Sequence, residues 1–228
     1  MEEALDRTPD GETTASPGSL SAAARLPSGQ TLVLRPLRPD DRLLLGEYFL
    51  GLSETTRGLY GPHPFDAATA DAICDRLDPA QTLRMVATVR RAEGERIVAY
   101  FLLTRGPRED DAARYAKLGI PLGPGDGALA PSVVDDFQDQ GVGSRMMSHL
   151  LWVAPGLGLR RIVLWGGVQA RNARGIHFYT KWGFRKVGEF FTDKNNHDMI
   201  LDLASLEPAK HDAAGEEALR QQEREEHR

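Results

Sequence analysis

The sequence predicts an α/β domain: a mixed, mostly antiparallel central sheet of six to seven strands flanked by about four helices. Three observations carry that expectation. Apolar periods of two and of 3.6 residues alternate along the chain. Antiparallel strand pairs lie on each side of a strand–helix–strand unit, which argues against an all-parallel doubly wound sheet. Inside that unit, an apolar strand-like run ends in Gly141-Val142-Gly143 and opens directly into an amphipathic helix.

The elements follow in order. Thr31 to Leu37 alternates as a strand, and Pro39-Asp40-Asp41 then marks a helix start ahead of Leu44, Leu45, Tyr48, Phe49 and Leu52. Ser53 to Pro64 is a polar loop containing Gly and Pro. Asp66 caps a second helix that runs to Leu77. Leu83–Val89 and Ile97–Thr104 form a hairpin around Ala92-Glu93-Gly94-Glu95. Arg105 to Gly127, charged and then rich in Gly and Pro, reads as an insertion. Ala128 to Val134 is small and β-branched, and Asp135-Asp136 supplies turn chemistry. Met146, Leu150 and Val153 share one helix face, which Pro155-Gly156 ends. Arg161–Trp165 is a further strand, a helix follows from Asn172, and Phe184–Phe191 with Asp198–Leu203 close the sheet as an antiparallel pair.

Composition bounds the function. The 228 residues are 41% hydrophobic and 27% charged, enough for one sizeable core. The most apolar stretch, Leu43 to Leu52, is too short for a membrane span and is interrupted by Glu47. No signal peptide is read at the start, and the single cysteine, Cys74, permits no internal disulfide, so the expected location is cytoplasmic. Residues 1–27 and 207–228 carry most of the acidic excess behind the net charge of −5. The span 28–206, read as the folded domain, is close to neutral and offers no nucleic-acid surface. The first tail is expected to be disordered for want of bulky apolar side chains, and the second to be a charged, solvated segment. A homodimer is left open. No His/Cys/Asp cluster has metal spacing, and Cys74, between Ile73 and Leu77, reads as a core thiol.

The glycine junction is the chemical centre of the chain. The first N–H groups of a helix have no partner inside it and lie at the positive end of its dipole, so the start of the helix after Gly141 is a receptive place for phosphate. The competing reading is a tight strand-to-helix turn with no ligand. A dinucleotide fingerprint is excluded by the absence of a third glycine, and no Gly-x-x-x-x-Gly-Lys-Ser/Thr motif occurs.

About thirty residues on stands Asn172-Ala173-Arg174-Gly175-Ile176-His177-Phe178-Tyr179-Thr180-Lys181-Trp182-Gly183-Phe184. With this second segment the chain resembles the GNAT superfamily of acyl-CoA-dependent N-acyltransferases. Gln138, Gly141 and Gly143 match its Gln/Arg-x-x-Gly-x-Gly/Ala loop, and Asn172, Gly175, Phe178, Tyr179, Lys181, Gly183 and Phe184 match its later helix. The likeness is specific over Leu129 to Phe191, looser over Thr31 to Thr104, and does not reach the tails.

The resemblance implies N-acetyl transfer from acetyl-CoA to a primary amine, on a small molecule or a protein, by direct attack in a ternary complex, without metal. It implies that the pyrophosphate meets Gln138, Asp139, Gln140, Gly141, Val142, Gly143, Ser144 and Arg145. The backbone of Ser132, Val133 and Val134 runs beside the pantetheine arm, and one N–H there supports the developing oxyanion. Asn172 contacts the pantetheine or caps its helix, and Tyr179 is the general acid for the departing thiolate; spacing alone equally makes Tyr179 a core residue beside Ile176 and Trp182. The alternative function is a non-catalytic acyl-CoA-binding regulatory module.

Many relatives place a glutamate on the strand before the loop. Here that stretch is Gly127-Ala128-Leu129-Ala130-Pro131-Ser132, with no carboxylate and with a proline inside the strand. The general base therefore stays open among Glu54, His63, Asp126 and Glu189, each of which also reads as a solvated surface group. His177 and His149 read as helix surface or edge. The amine acceptor is expected to meet loops Ser53–Pro64, 105–127 and Thr192–His197.

Overall fold

In the computed structural model, which describes residues 20–206, the alternating segments pair into a single nine-stranded sheet that carries six helices. The strands are β1 (Ala22–Arg25), β2 (Thr31–Pro36), β3 (Thr82–Arg91), β4 (Gly94–Arg105), β5 (Asp126–Val133), β6 (Arg161–Leu164), β7 (Val168–Gln169), β8 (Arg185–Phe191) and β9 (Asn195–Asp202). The helices are α1 (Arg42–Gly51), α2 (Glu54–Arg57), α3 (Ala67–Asp75), α4 (Glu109–Lys117), α5 (Val142–Val153) and α6 (Ala173–Lys181). Strands β1 to β5 form an antiparallel meander, β5 and β6 run parallel, and β9 pairs antiparallel with β6, β7 and β8.

The mixed, mostly antiparallel sheet is the one the periodicity predicts, with more elements than expected. Strand β1 falls inside the expected tail 1–27, whose first nineteen residues lie outside the described ones, as does the whole segment 207–228. Strand β7 is two residues long, too short to register as a period. Helix α2 is a single turn within the expected loop Ser53–Pro64, begun by the Ser53 hydroxyl accepting from Thr56 N–H. Helix α4 occupies the expected insertion.

Helices α1 and α5 carry the stripes the sequence shows. Leu45, Tyr48 and Phe49 of α1 and Met146, Met147 and Leu150 of α5 are buried, each worth about 1.5–3 kcal/mol where the side chain is large and fully enclosed. The start of α1 is anchored by a buried pair: Arg35 donates to both Asp41 oxygens, at 2.6 and 2.8 Å, and Asp41 also accepts Arg38 N–H at 2.7 Å.

One irregularity positions everything that follows. Pairing of β5 with β6 covers Asp126–Leu129 and Arg161–Leu164, and Trp165 N–H still reaches Leu129 O at 2.9 Å. Gly166 and Gly167 then both take left-handed φ values, 63° and 71°, which glycine adopts without strain, and the chain turns away toward β7. The Asp111 carboxylate of α4 accepts Gly166 N–H at 3.3 Å, fixing the turn. Strand β5 meanwhile stays with β4 as far as Val133. The sheet splits, and one edge of β5 is left open from Ala130 to Val133.

Candidate functional site

A cavity of about 240 Å³ occupies the split. Pro131, Ser132 and Val133 of β5 form one wall, the loop Phe137–Asp139 with Gly141, Gly143 and Ser144 forms the second, and Asn172, Arg174, Gly175, Phe178 and Tyr179 of the α6 segment form the third. Two regions that the sequence places far apart thus face each other, as the resemblance implies. Thr56, Leu59 and Tyr60 bring the loop after α1 to the same cavity, while 105–127 and Thr192–His197 contribute no lining residue.

One end of the cavity is made by the entry to α5. Asp139 and Gly141 hold left-handed φ angles of 58° and 82°, and the first helical bond is Arg145 N–H to Gly141 O at 3.1 Å. The N–H groups of Val142, Gly143 and Ser144 consequently have no partner inside the helix. Gly143 does not take a positive φ; what it supplies is space, since a β-carbon there would stand 3.5 Å from the Phe178 ring and 3.7 Å from Val133. The Val142 side chain is core, and Gln140 donates to Asp136 O. Arg145 folds back on its own turn, with Nη1 3.4 Å from Gly141 O, and does not line the cavity. The lining cation is Arg174, 3.7 Å from Asp139. The sequence signal for it was available: a basic residue in the first turn of the helix that faces the loop.

Direction along β5 follows from its partners. Leu129 O meets Trp165 N–H, and Val133 O accepts Gln138 Nε2 at 3.0 Å, so the odd positions present backbone groups to the split. Val134 N–H goes to Val98 O, on the β4 side. Among Ser132, Val133 and Val134, therefore, Val133 alone turns its N–H to the cavity. The Ser132 hydroxyl donates to Tyr100 O at 3.2 Å and is 2.7 Å from the Tyr48 hydroxyl, which must donate to it. Pro131 occupies the other odd position within the split and has no N–H to offer.

Tyr179 is buried at the cavity wall, edge-on to Phe178 and Phe184 at ring separations of 5.6 and 5.5 Å. Burial pushes its phenol well above the usual value of about 10, and it remains protonated through the neutral range. Asn172 caps α6, its Oδ1 accepting Gly175 N–H at 2.9 Å.

The candidate bases separate. Asp126 is buried beneath Arg161, 2.7 Å away, at the far end of β5 from the split; there, burial pushes its carboxyl up, and the bonds from Arg161 and Gly123 more than offset this. Glu54 is exposed, and Glu189 is exposed and paired with Lys186. His63 is not a solvated surface group: it packs against Phe49, Tyr60, Phe65 and Tyr100. His177 is exposed as expected, His149 is half-buried with Nε2 2.7 Å from Leu20 O, and Cys74 is a core thiol that burial pushes to about 11. Among the described residues no group of three His, Cys, Asp or Glu side chains is placed to hold a metal ion, and no helix is long and apolar enough to cross a membrane.

The split in the mixed sheet thus brings a helix start, a free strand edge and a protonated phenol together around one cavity. The model of the Acetyltransferase (GNAT) family matches residues 52–184, more than half of the chain, and the chain belongs to that family. Solved structures share the fold. The GNAT domain of S. lividans PAT is 20% identical with a TM-score of 0.64, over 82% of this chain and 99% of its own. Ribosomal-protein-S5-alanine acetyltransferase from Vibrio fischeri is 14% identical with a TM-score of 0.59, over 78% and 96%. The Salmonella typhimurium protein yncA, solved with its cofactor acetyl-CoA, is 18% identical with a TM-score of 0.52, over 80% and 98%. No curated protein matches the chain.

Proposed function

We propose that this chain transfers an acetyl group from acetyl-CoA to an amine by direct attack, with both substrates in the split at once. The observation that carries the reading is that one cavity joins the open start of α5, the free edge of β5 and the Tyr179 phenol. Acetyl-CoA as the donor is supported by the likeness to yncA, whose structure holds it. The pyrophosphate would meet the N–H groups of Val142, Gly143 and Ser144 together with Arg174. The pantetheine arm would run along Pro131 and Val133 against the rings of Phe137 and Phe178. Val133 N–H is the strand donor on that edge, and Tyr179 gives its proton to the departing thiolate.

Calorimetry with acetyl-CoA and thiol release with a panel of amines test the reading. Binding and steady release are expected, and Tyr179→Phe should keep donor affinity within about twofold while turnover falls by roughly 10²–10⁴. Unchanged turnover in that variant would remove Tyr179 from its role. A second reading, an acyl-CoA-binding module without turnover, is favoured by one observation: β5 brings no carboxylate to the split, and Pro131 brings no donor. Donor binding without release from any amine of the panel would select it.

A further inference from the structure

The attacking amine must lose a proton, and among the described residues the one carboxylate lining the cavity, Asp139, lies in the loop before α5 and faces Arg174. The other titratable groups on the walls include two phenols. Tyr179 has no hydrogen-bond partner among the described residues, whereas the Tyr60 hydroxyl lies 3.5 Å from His63 Nε2. That separation is long for a hydrogen bond, as catalytic contacts are before a substrate tightens them.

The direction of this contact is decided by the other ring nitrogen. His63 Nδ1 is 2.8 Å from Pro64 O. A carbonyl only accepts, so Nδ1 carries the hydrogen and Nε2 of the neutral ring keeps its lone pair, which leaves Tyr60 as the donor. The ring is held by Phe49 at 5.3 Å, Phe65 at 5.5 Å and Tyr100 at 5.7 Å.

We propose that Tyr60 and His63 are the proton-accepting pair of the site, an inference that rests on the acyl-transfer reading. As the amine nitrogen bonds to the acyl carbon, its N–H bond breaks and the proton passes to Tyr60 Oη. The Tyr60 O–H bond breaks in turn, and its proton passes to His63 Nε2. The C–S bond then opens and the thiolate takes the Tyr179 proton; the imidazolium, braced by Pro64 O, later gives its proton to water, and the Tyr179 phenolate regains one from water, so that the site is restored. No charge is left on Tyr60, which is consistent with a buried phenol held well above its usual range.

The charged and titratable groups facing His63 are Arg84 from β3, Tyr100 from β4, Asp66 at the cap of α3 and Tyr60 from its own loop; α1 presents the uncharged Phe49. Burial pushes the imidazole below its ordinary value, with Arg84 acting in the same direction and the Pro64 bond and Asp66 against it. A base in this state is lost only as pH falls through its lowered pKa. Wild-type kcat, read at saturating amine so that the free amine's own protonation drops out, should therefore decline on the acid side with a midpoint below about 6.5.

The test uses the full chain with acetyl-CoA and a panel of aliphatic, aromatic and amino-acid amines. Tyr60→Phe, which keeps the ring, and His63→Gln should each lower kcat by about a hundredfold, abolish the acid-side decline and leave acetyl-CoA affinity within twofold. Nitrogen chemical shifts of His63 at neutral pH should show Nδ1 protonated and Nε2 bare, with the Nε2 signal moved in Tyr60→Phe. Active variants with an unchanged pH profile, or a protonated Nε2 in the neutral ring, would overturn the pair while leaving acetyl transfer intact. A wild-type chain that acetylates no amine in the panel would overturn the transfer reading and the pair with it.

Discussion

Pro131 takes its meaning from the direction its missing N–H would have had. In β5 the odd positions face the split, so the proline costs the ladder with β4 nothing and deprives the cavity of a donor. Pro131→Ala is accordingly expected to lower stability by only about 0.4–1 kcal/mol, through a freer unfolded chain, without weakening acetyl-CoA. Urea unfolding and calorimetry check both, and a gain in stability would place that nitrogen in the β4 ladder after all, since alanine would supply the donor that proline lacks. Gly143 makes the complementary case. Its neighbours leave room for one methyl, so Gly143→Ala should bind acetyl-CoA nearly as wild type does. Gly143→Val sets branches against Phe178 and Val133 and should weaken binding about tenfold, a loss of roughly 1.4 kcal/mol.

At the scale of elements, the loop after α1 hangs on one carboxylate. Asp135 accepts Ser53 N–H at 3.0 Å, the Ser53 hydroxyl at 2.7 Å and the Thr56 hydroxyl at 2.7 Å, tying α2 to the end of β5. Burial pushes its carboxyl up, but these bonds prevail and hold it below the usual range. A depressed carboxyl contributes most above its unfolded pKa and loses that contribution as pH falls through the folded one. The amides of 53–60 should thus exchange faster with solvent below about pH 4, and in Asp135→Ala at neutral pH as well. That variant should raise the KM of the acceptor while donor affinity stays put.

Helix α4 shows why some elements escaped the pattern. Its sequence is largely charged because it is attached by charge: Arg114 bridges Asp111 and Asp198, which are 0% and 2% exposed, and Tyr115 donates to Met199 O. Its polar and apolar residues do segregate at the helical period, but Tyr115 is its one large buried apolar side chain, so the segment reads as charged rather than as a core helix. Arg114→Ala strands two buried carboxylates and should cost about 3–5 kcal/mol in urea unfolding.

Across the whole molecule, the parts of the site that are local were legible in the sequence and the parts that topology brings together were not. The glycine turn and the Asn172 cap are set by residues a few positions apart, so α5 starts after Gly141 and Asn172 caps α6, as read. Phe101, Tyr60 and Val168 reach the cavity only because the meander, the loop after α1 and the twin-glycine turn converge there. Ser132 and Val134 failed as cavity donors for a reason of period: adjacent strand residues turn their backbone groups to opposite sides. A ligand gripped by so many separate segments should bind the folded chain and not the unfolded one. Acetyl-CoA at a hundred times its Kd is expected to add about 2.7 kcal/mol to unfolding, visible as a melting temperature that climbs with ligand concentration.

The free edge of β5 has a consequence outside catalysis. An unpaired strand inside a split sheet is a template on which an extended segment of another polypeptide can zip, the first step toward insoluble aggregates. Here Pro131 breaks the row of donors such a guest would need, and the Gln138 amide sits on the carbonyl of Val133. The same two residues that thin out the hydrogen bonds this edge can offer keep the gap from being stitched shut by a stranger.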